Sequence, residues 1–288
     1  MKVGFIGTGT MGQPMLANLV KKGFEVVAFD VVPGALDAAV RAGAGRAGSA
    51  VEAAANCDLG ITMLPSSANV EAVYLGPGGI AESAVRGRLC VDMSTIDPGT
   101  SQRIAAQLMT RGIRFLDAPV SGGVGGDTGD LEEARPALAA MGSNIIRVGD
   151  VGAGEVAKLC NNLISGSALV AVAEAFRIGE AFGVDPRILT NVIAKSSGAT
   201  WVMEHAHPVP GIVSNAASSR QYAPGFMTDL MAKDLGLAIS AAREKRVPVA
   251  VAPAAHQLYR LASSHGLGRE DCSSVYKFLK PSNDDAPV

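Results

Sequence analysis

Up to about residue 150, short apolar runs alternate with amphipathic stretches. Val3-Gly4-Phe5-Ile6 is followed by helical spacing from Met11 to Lys22, and then by Glu25-Val26-Val27-Ala28-Phe29 as a second strand. Leu59 to Met63, Leu89 to Met93 and Ile113 to Asp117 read as later strands, with helical segments between them, as from Gly99 to Arg111. This alternation predicts parallel strands joined by crossover helices: an α/β, Rossmann-like doubly wound sheet.

After Gly152-Ala153-Gly154 the rhythm changes. No strand pattern appears from Glu155 to Phe182, where apolar residues recur at helical spacing on more than one face. A helix of about 28 residues at 1.5 Å each runs roughly 42 Å. Being apolar nearly all round, it is expected to be buried between domains and between subunits. Asp185 to Lys195, Met227 to Arg243, Val249 to His265 and Asp271 to Leu279 continue the helical reading. The expected organisation is a Rossmann-like domain over 1–153 and an all-helical domain over 154–288, joined by the long helix. Only the tail from Pro281 to Val288 reads as disordered.

Charge narrows the class of partner. Lys plus Arg (25) nearly balances Asp plus Glu (27), which gives no pull toward a phosphate polymer. Cys57, Cys90, Cys160 and Cys272 are far apart and form no C-x-x-C pair, as expected of reduced thiols rather than a disulfide scaffold or zinc site. The opening MKVGFIG passes straight into a strand, and the most apolar stretch, Leu163 to Val172, is broken by Ser165, Gly166 and Ser167. A cytoplasmic protein without membrane or nucleic-acid partners is the expectation.

Gly7-Thr8-Gly9-Thr10-Met11-Gly12 supplies G-x-G-x-x-G between a strand and a helix. In that setting the first glycine permits a tight turn, the second lets backbone approach a pyrophosphate, and the third lets helix pack on strand. Asp30 closes the second strand 18 residues past Gly12, where a carboxylate can accept hydrogen bonds from ribose hydroxyls and repel a 2′-phosphate. Val31 and Val32 follow it, with no Arg or Lys to hold such a phosphate, so the expected cofactor is NAD rather than NADP; a helix-capping role is the other reading of Asp30. Leu64-Pro65 and Ser94-Thr95 follow later strands and fall where ribose and nicotinamide sit in such folds, or are plain turns.

Two further stretches bear on chemistry. After Phe115 to Val120, the backbone of Ser121-Gly122-Gly123 can offer N–H donors to a carboxylate, or is simply a glycine turn. At the start of the long helix Lys158 and Asn162 stand four residues apart, on one face. Partial desolvation lowers a lysine's pKa toward neutrality, which suits general acid–base work, whereas a lysine at a domain boundary is more often a surface residue.

Together these segments resemble the β-hydroxyacid dehydrogenase family. The matching blocks are Gly4 to Met15, Phe115 to Gly123, Gly152 to Asn162 and Lys233-Asp234-Leu235-Gly236-Leu237-Ala238. His207-Pro208-Val209-Pro210-Gly211, Tyr222, Gly225-Phe226 and Ala255-His256-Gln257 are similar to the 3-hydroxyisobutyrate branch. The resemblance implies NAD-dependent oxidation of a short 3-hydroxy acid, and the apolar face of the long helix from Glu155 is expected to pack against a second copy in a homodimer or homotetramer. Lys158 would take the hydroxyl proton while hydride leaves the adjacent carbon for the nicotinamide. Asn162 would fix the reacting end, and Ser121, Gly122, Gly123 and Lys233 would hold the substrate. Thr8, Thr10, Met11, Leu64, Pro65, Asn69, Thr95, Phe226 and Lys233 would contact the cofactor. A semialdehyde reductase and a redox-silent NAD-binding module are the alternatives.

Two departures stand out. After Gly126 the family usually runs through a G-T-L-x-x-M-V-G-G strand; here Gly129 to Arg135 passes straight into a helix, about a dozen residues short. That puts an edge strand in doubt and is expected to loosen the loop behind Ser121. His207 also stands where Asn is common, with His205 nearby; a packing role rather than a metal pair is expected.

Overall fold

The computed structural model describes residues 1–55, 57–82 and 87–280, so the tail read as disordered lies outside the described residues. The chain divides into two compact units after Lys158, inside a helix that runs from Ala153 to Ala181. The division lies beyond the 153/154 boundary because the first turn of that helix is bonded to the sheet of the first unit, as shown below.

The first unit is built on strands β1 (Lys2–Ile6), β2 (Glu25–Phe29), β3 (Gly45–Arg46), β4 (Leu59–Thr62), β5 (Leu89–Asp92), β6 (Arg114–Asp117), β7 (Gly123–Gly125) and β8 (Ile146–Gly149). They form one sheet in the order β3-β2-β1-β4-β5-β6-β7-β8, parallel except between β6 and β7. The order reverses direction at β1, so the loops after β1 and β4 open side by side at the carboxyl edge, where doubly wound sheets take their ligands.

Helices α1 (Gly12–Lys21), α2 (Pro33–Arg41), α3 (Ala50–Ala55), α4 (Ser67–Leu75), α5 (Pro98–Thr110) and α6 (Thr128–Met141) connect the strands. Alternation within each strand feeds two cores. Val3, Phe5, Leu59, Ile61, Leu89 and Val91 pack with Leu16 and Leu19 of α1 and Leu131 and Leu138 of α6. Ile6 and Cys90 point the other way, to Val70 and Tyr74 of α4 and Ile104 and Leu108 of α5.

The doubt about the edge strand is corrected. β7 pairs with β8 in parallel with a register shift at Val124/Gly125, and it meets β6 through the single pair Asp117↔Gly125. The loop behind Ser121 is tied down as well: Ile146 N–H donates to Gly122 O (2.8 Å) and Gly126 N–H to Gly149 O (2.9 Å). Three residues of glycine-rich chain thus complete the sheet, because strand pairing needs backbone groups and no particular side chain.

The second unit is helical: the C-terminal part of α7 (Ala153–Ala181), then α8 (Pro186–Ile193), α9 (Trp201–His205), α10 (Thr228–Glu244), α11 (Val251–Ala262) and α12 (Val275–Phe278). By length and composition α7 could cross a membrane, with mean hydropathy 1.4, although no uninterrupted apolar run signals it. Its Leu169, Ala173 and Phe176 belong instead to a protein core with Met231, Leu235, Tyr259 and Val275. Within one chain α7 leaves part of its apolar surface uncovered, at Ile164 and Ile178. The stretch read as one helix from Val249 to His265 breaks at His265 and Gly266, whose φ is +89°. Asp271 caps a 3-10 turn over Cys272–Ser274 by accepting from Ser273 N–H, so α12 begins later than the periodicity suggests.

His207 is fully buried in this unit, its ring edge-on to Phe176. Its Nδ1 accepts from Val209 N–H (3.2 Å), which places the proton on Nε2, facing Thr190 Oγ1 at 3.3 Å. His205 is exposed and stacked on Trp201. Burial pushes the His207 pKa from 6.5 down to about 4, so the unfolded chain binds more protons between those values. Stability from this group is therefore full above pH 6.5 and falls as pH drops toward 4, by about 3 kcal/mol at most. Denaturant titrations of wild type and His207→Asn at neutral pH and in that window should show the wild type losing the advantage of its imidazole. A difference between the two proteins that is constant with pH would contradict this.

Candidate active site

The G-x-G-x-x-G turn has the geometry its residues require. Gly7 has φ +94°, and a Cβ there would lie 2.2 Å from Met63 O. A Cβ on Gly12 would lie 2.0 Å from Gly7 O, so α1 starts in direct contact with the turn. Around Gly9 nothing stands within 4 Å of the Cβ position. Two glycines are thus closed in by backbone and the middle one faces open space, which fits a group that must approach the main chain there. Thr8 is buried, whereas Thr10 and Met11 are exposed.

Asp30 organises this turn. Its Oδ2 accepts from Thr8 N–H (2.6 Å) and Thr8 Oγ1 (3.2 Å), and its Oδ1 accepts from Val32 N–H (2.8 Å). It is not a helix cap, since the N-cap of α2 is Val32, with no side-chain bond. Half-buried, it keeps further lone pairs on both oxygens for ribose hydroxyls.

The loops after β4 and β5 hang from one buried carboxylate. Asp92 Oδ1 accepts from Thr62 Oγ1 (2.7 Å) and Ser94 Oγ (2.6 Å), and Ser94 Oγ in turn accepts from Leu64 N–H (2.8 Å). Leu64, Pro65 and Thr95 are therefore carried by a hydrogen-bonded frame. Asn69 lies in the first turn of α4, its N–H capped by Ser66 Oγ.

Lys158 and the Ser121-Gly122-Gly123 stretch are brought together in the first unit. The Lys158 Nζ donates to Val120 O at 2.9 Å, next to Ser121. Gly122 has φ +97°, and Ser121 N–H turns back onto Pro119 O (2.7 Å), so that N–H is engaged within the loop. Asp117, at the end of β6, accepts from Gly152 N–H (2.7 Å) and Glu155 N–H (2.9 Å), and Glu155 accepts from Ile96 N–H (3.1 Å). Burial pushes the Asp117 pKa up to about 6, with those two N–H donors pulling the other way.

In the second unit a further buried acid, Asp234, joins two expected site residues. Its Oδ2 accepts from Asn162 Nδ2 (2.5 Å), and Lys233 Nζ lies 3.3 Å from its Oδ1. Phe226 is held by its backbone, its N–H on Asp271 Oδ2 (2.9 Å) and its carbonyl on Cys272 N–H (2.8 Å). Gln221 and Tyr222, just upstream, both take left-handed φ near +57°, and Tyr222 is fixed by its hydroxyl on Pro208 O (2.9 Å). Strain of this kind persists where surrounding contacts over-determine the backbone.

Asp92, Asp117, Glu155 and Asp234 were not anticipated. The available signal was an acid closing an otherwise apolar strand, in Leu-Cys-Val-Asp and Phe-Leu-Asp, where an unpaired carboxylate is too costly to bury.

Residues 2–149 match the model of the NAD binding domain of 6-phosphogluconate dehydrogenase. Residues 152–279 match that of the NAD-binding domain of NADP-dependent 3-hydroxyisobutyrate dehydrogenase. The mitochondrial 3-hydroxyisobutyrate dehydrogenase of Rattus norvegicus is 41% identical over 96% of this chain and 87% of its own length. The chain belongs to the 3-hydroxyisobutyrate dehydrogenase family. It is thereby an NAD-dependent hydroxyacid dehydrogenase. A Pseudomonas aeruginosa relative named NAD-dependent L-serine dehydrogenase is as similar, 42% identical over 97% of this chain and 98% of its own. Among solved structures, a Mycobacterium tuberculosis 3-hydroxyisobutyrate dehydrogenase with L-serine superposes with a TM-score of 0.90 at 36% identity. It covers 97% of this chain and 99% of that one.

The glycine geometry separates two variants of this family member. Gly9→Ala has room for its methyl and should leave the melting temperature within about 2 °C, while the NAD dissociation constant, read by calorimetry, rises about tenfold or more. Gly12→Ala forces α1 off the turn and should cost both folding stability, by about 1–3 kcal/mol, and cofactor binding. Equal NAD affinity in Gly9→Ala and wild type would contradict the assignment.

Proposed function

We propose that the chain oxidises 3-hydroxyisobutyrate to methylmalonate semialdehyde with NAD, a step of valine breakdown, with Lys158 as general acid–base. The observation that carries this reading is the Lys158 amine seated 2.9 Å from Val120 O, at the threshold of the Ser121-Gly122-Gly123 loop. Bound NAD supplies the hydride acceptor. The Lys158 amine takes the proton of the substrate hydroxyl as the carbonyl forms and then returns it to solvent. Gly122 and Gly123, with the Ser121 hydroxyl, receive the substrate carboxylate. Asn162 and Lys233 take the roles the family resemblance implies, orienting the reacting end and the nicotinamide. Phe226 joins Leu64, Pro65, Asn69 and Thr95 as a cofactor contact. The Asp30 carboxylate favours a free 2′-hydroxyl, hence NAD over NADP.

A second reading, L-serine as the preferred substrate, is favoured by the serine dehydrogenase relative. The two acids carry a methyl and an ammonium respectively on the central carbon, so the pocket discriminates them by charge as well as shape. By contrast, 3-hydroxypropionate lacks only the methyl, worth about 1–3 kcal/mol. A steady-state panel of 3-hydroxyisobutyrate, 3-hydroxypropionate, L-serine and glycerate with NAD and NADP decides it. The expected order places 3-hydroxyisobutyrate with NAD about tenfold or more above the rest in kcat/KM. A lead for L-serine supports the second reading, and equal rates with NADP overturn that of Asp30. Lys158→Ala should lower kcat by about 10²–10⁴ and leave NAD affinity intact. Turnover within about tenfold of wild type would remove Lys158 from the chemistry.

We also propose a homodimer or homotetramer. Ile178 and Phe182 of the long helix and its sequel, and Ile188 and Val192 of α8, expose apolar surface in the second unit, and α8 buries none of its residues. Light scattering at micromolar concentration should give a multiple of the 29.4 kDa chain; monomer mass would refute this.

A further inference from the structure

We infer that Asp117 is a positioning residue for the proposed reaction, setting where Lys158 stands relative to the Ser121-Gly122-Gly123 loop without touching substrate or cofactor. This rests on the acid–base reading of Lys158.

The argument begins with connectivity. Asp117 ends β6, three residues before Val120. Its two oxygens take separate donors at the start of α7, Gly152 N–H at 2.7 Å and Glu155 N–H at 2.9 Å. Those donors are among the N–H groups that a helix start leaves without internal partners. Glu155 lies three residues before Lys158, just under one helical turn, and the Lys158 amine bonds Val120 O. The strand end, the carboxylate, the first helical turn, the lysine stem and the Val120 carbonyl thus close a ring. One side of that ring is the loop from Asp117 to Val120. If the carboxylate moves, the lysine moves against the loop.

Packing holds the ring tight. Asp117 is fully buried. A Cβ on Gly125 would lie 2.4 Å from its Oδ1, and one on Gly154 would lie 2.5 Å from its carbonyl oxygen, so only glycine lets β7 and α7 approach it this closely. A second carboxylate, Glu155 of the helix itself, braces the same turn against the loop that follows β5, its Oε2 accepting from Ile96 N–H. Two acids therefore fix one helical turn to the end of β6 and to that neighbouring loop. That is more than capping needs, since a single Ser, Thr or Asp ordinarily serves.

Asp117→Asn keeps the side-chain shape but sets an NH2 against one of the two N–H donors; Asp117→Ala removes both acceptors. Three quantities are read on the whole enzyme: kcat, KM for NAD, and the rate of reductive methylation of Lys158 relative to Lys233 by peptide mass spectrometry. For Asp117→Asn the expected result is a kcat lower by about tenfold or more, KM for NAD within about threefold, and a labelling ratio changed about threefold or more. Asp117→Ala should be more severe, and should it not fold, the Asn variant carries the test. A kcat within about twofold of wild type overturns the inference, as does lost activity with an unchanged labelling ratio. The ratio needs no turnover. Failure of the acid–base reading itself would show separately, as an active Lys158→Ala enzyme.

Discussion

A primary amine resting on a main-chain carbonyl, Lys158 Nζ on Val120 O at 2.9 Å, is the contact around which the first unit is arranged. An amine has no rigid geometry of its own: four carbons of flexible stem separate Nζ from the backbone. Its position is defined only because the helix it stands on and the loop it touches are each bound to the same strand end. Proton transfer requires the donor and acceptor to lie within about 2.6–3.2 Å, so the chemistry inherits whatever precision that binding provides.

The binding is done by buried or half-buried carboxylates at the carboxyl edges of strands. Asp30 after β2, Asp92 in β5 and Asp117 in β6 each gather N–H or O–H donors from a neighbouring loop. Asp234 and Asp271 do the same in the helical unit, for Asn162 and for the backbone of Phe226. An ionised group removed from water is strongly destabilising unless hydrogen-bonded, so each acid fixes its donors in place rather than merely tolerating them. The loops of a doubly wound sheet must be polar and open to ligands, yet held still. Acids anchored in rigid strands meet both needs.

Much of this was legible in the residues. Five of the eight strands, β1, β2, β4, β5 and β6, follow from their apolar runs, and the tight turn at Gly7 and the close approach at Gly12 follow from the glycine spacing. Lys158 meets the loop that leads into Ser121, at Val120 O. What escaped reading has a common cause, in that it depends on backbone rather than side-chain pattern. β7 is Gly-Val-Gly, with no alternation to detect, and exists because Ile146 and Gly149 offer hydrogen-bonding groups alongside it. The five-residue α9 is too short for periodicity, and is set by Thr200 capping Met203 N–H. Asp117 was visible only as one letter in a matching block, since its partners lie 35 and 38 residues away.

The central claim is that the Lys158 amine exchanges its proton with the substrate alcohol. The most direct test is a crystal structure of the ternary complex with NADH and 3-hydroxyisobutyrate. The account predicts Nζ within about 3.2 Å of the alcohol oxygen, with the carboxylate on the Gly122 and Gly123 backbone. An amine turned into bulk solvent, or a carboxylate bound away from that loop, would contradict it.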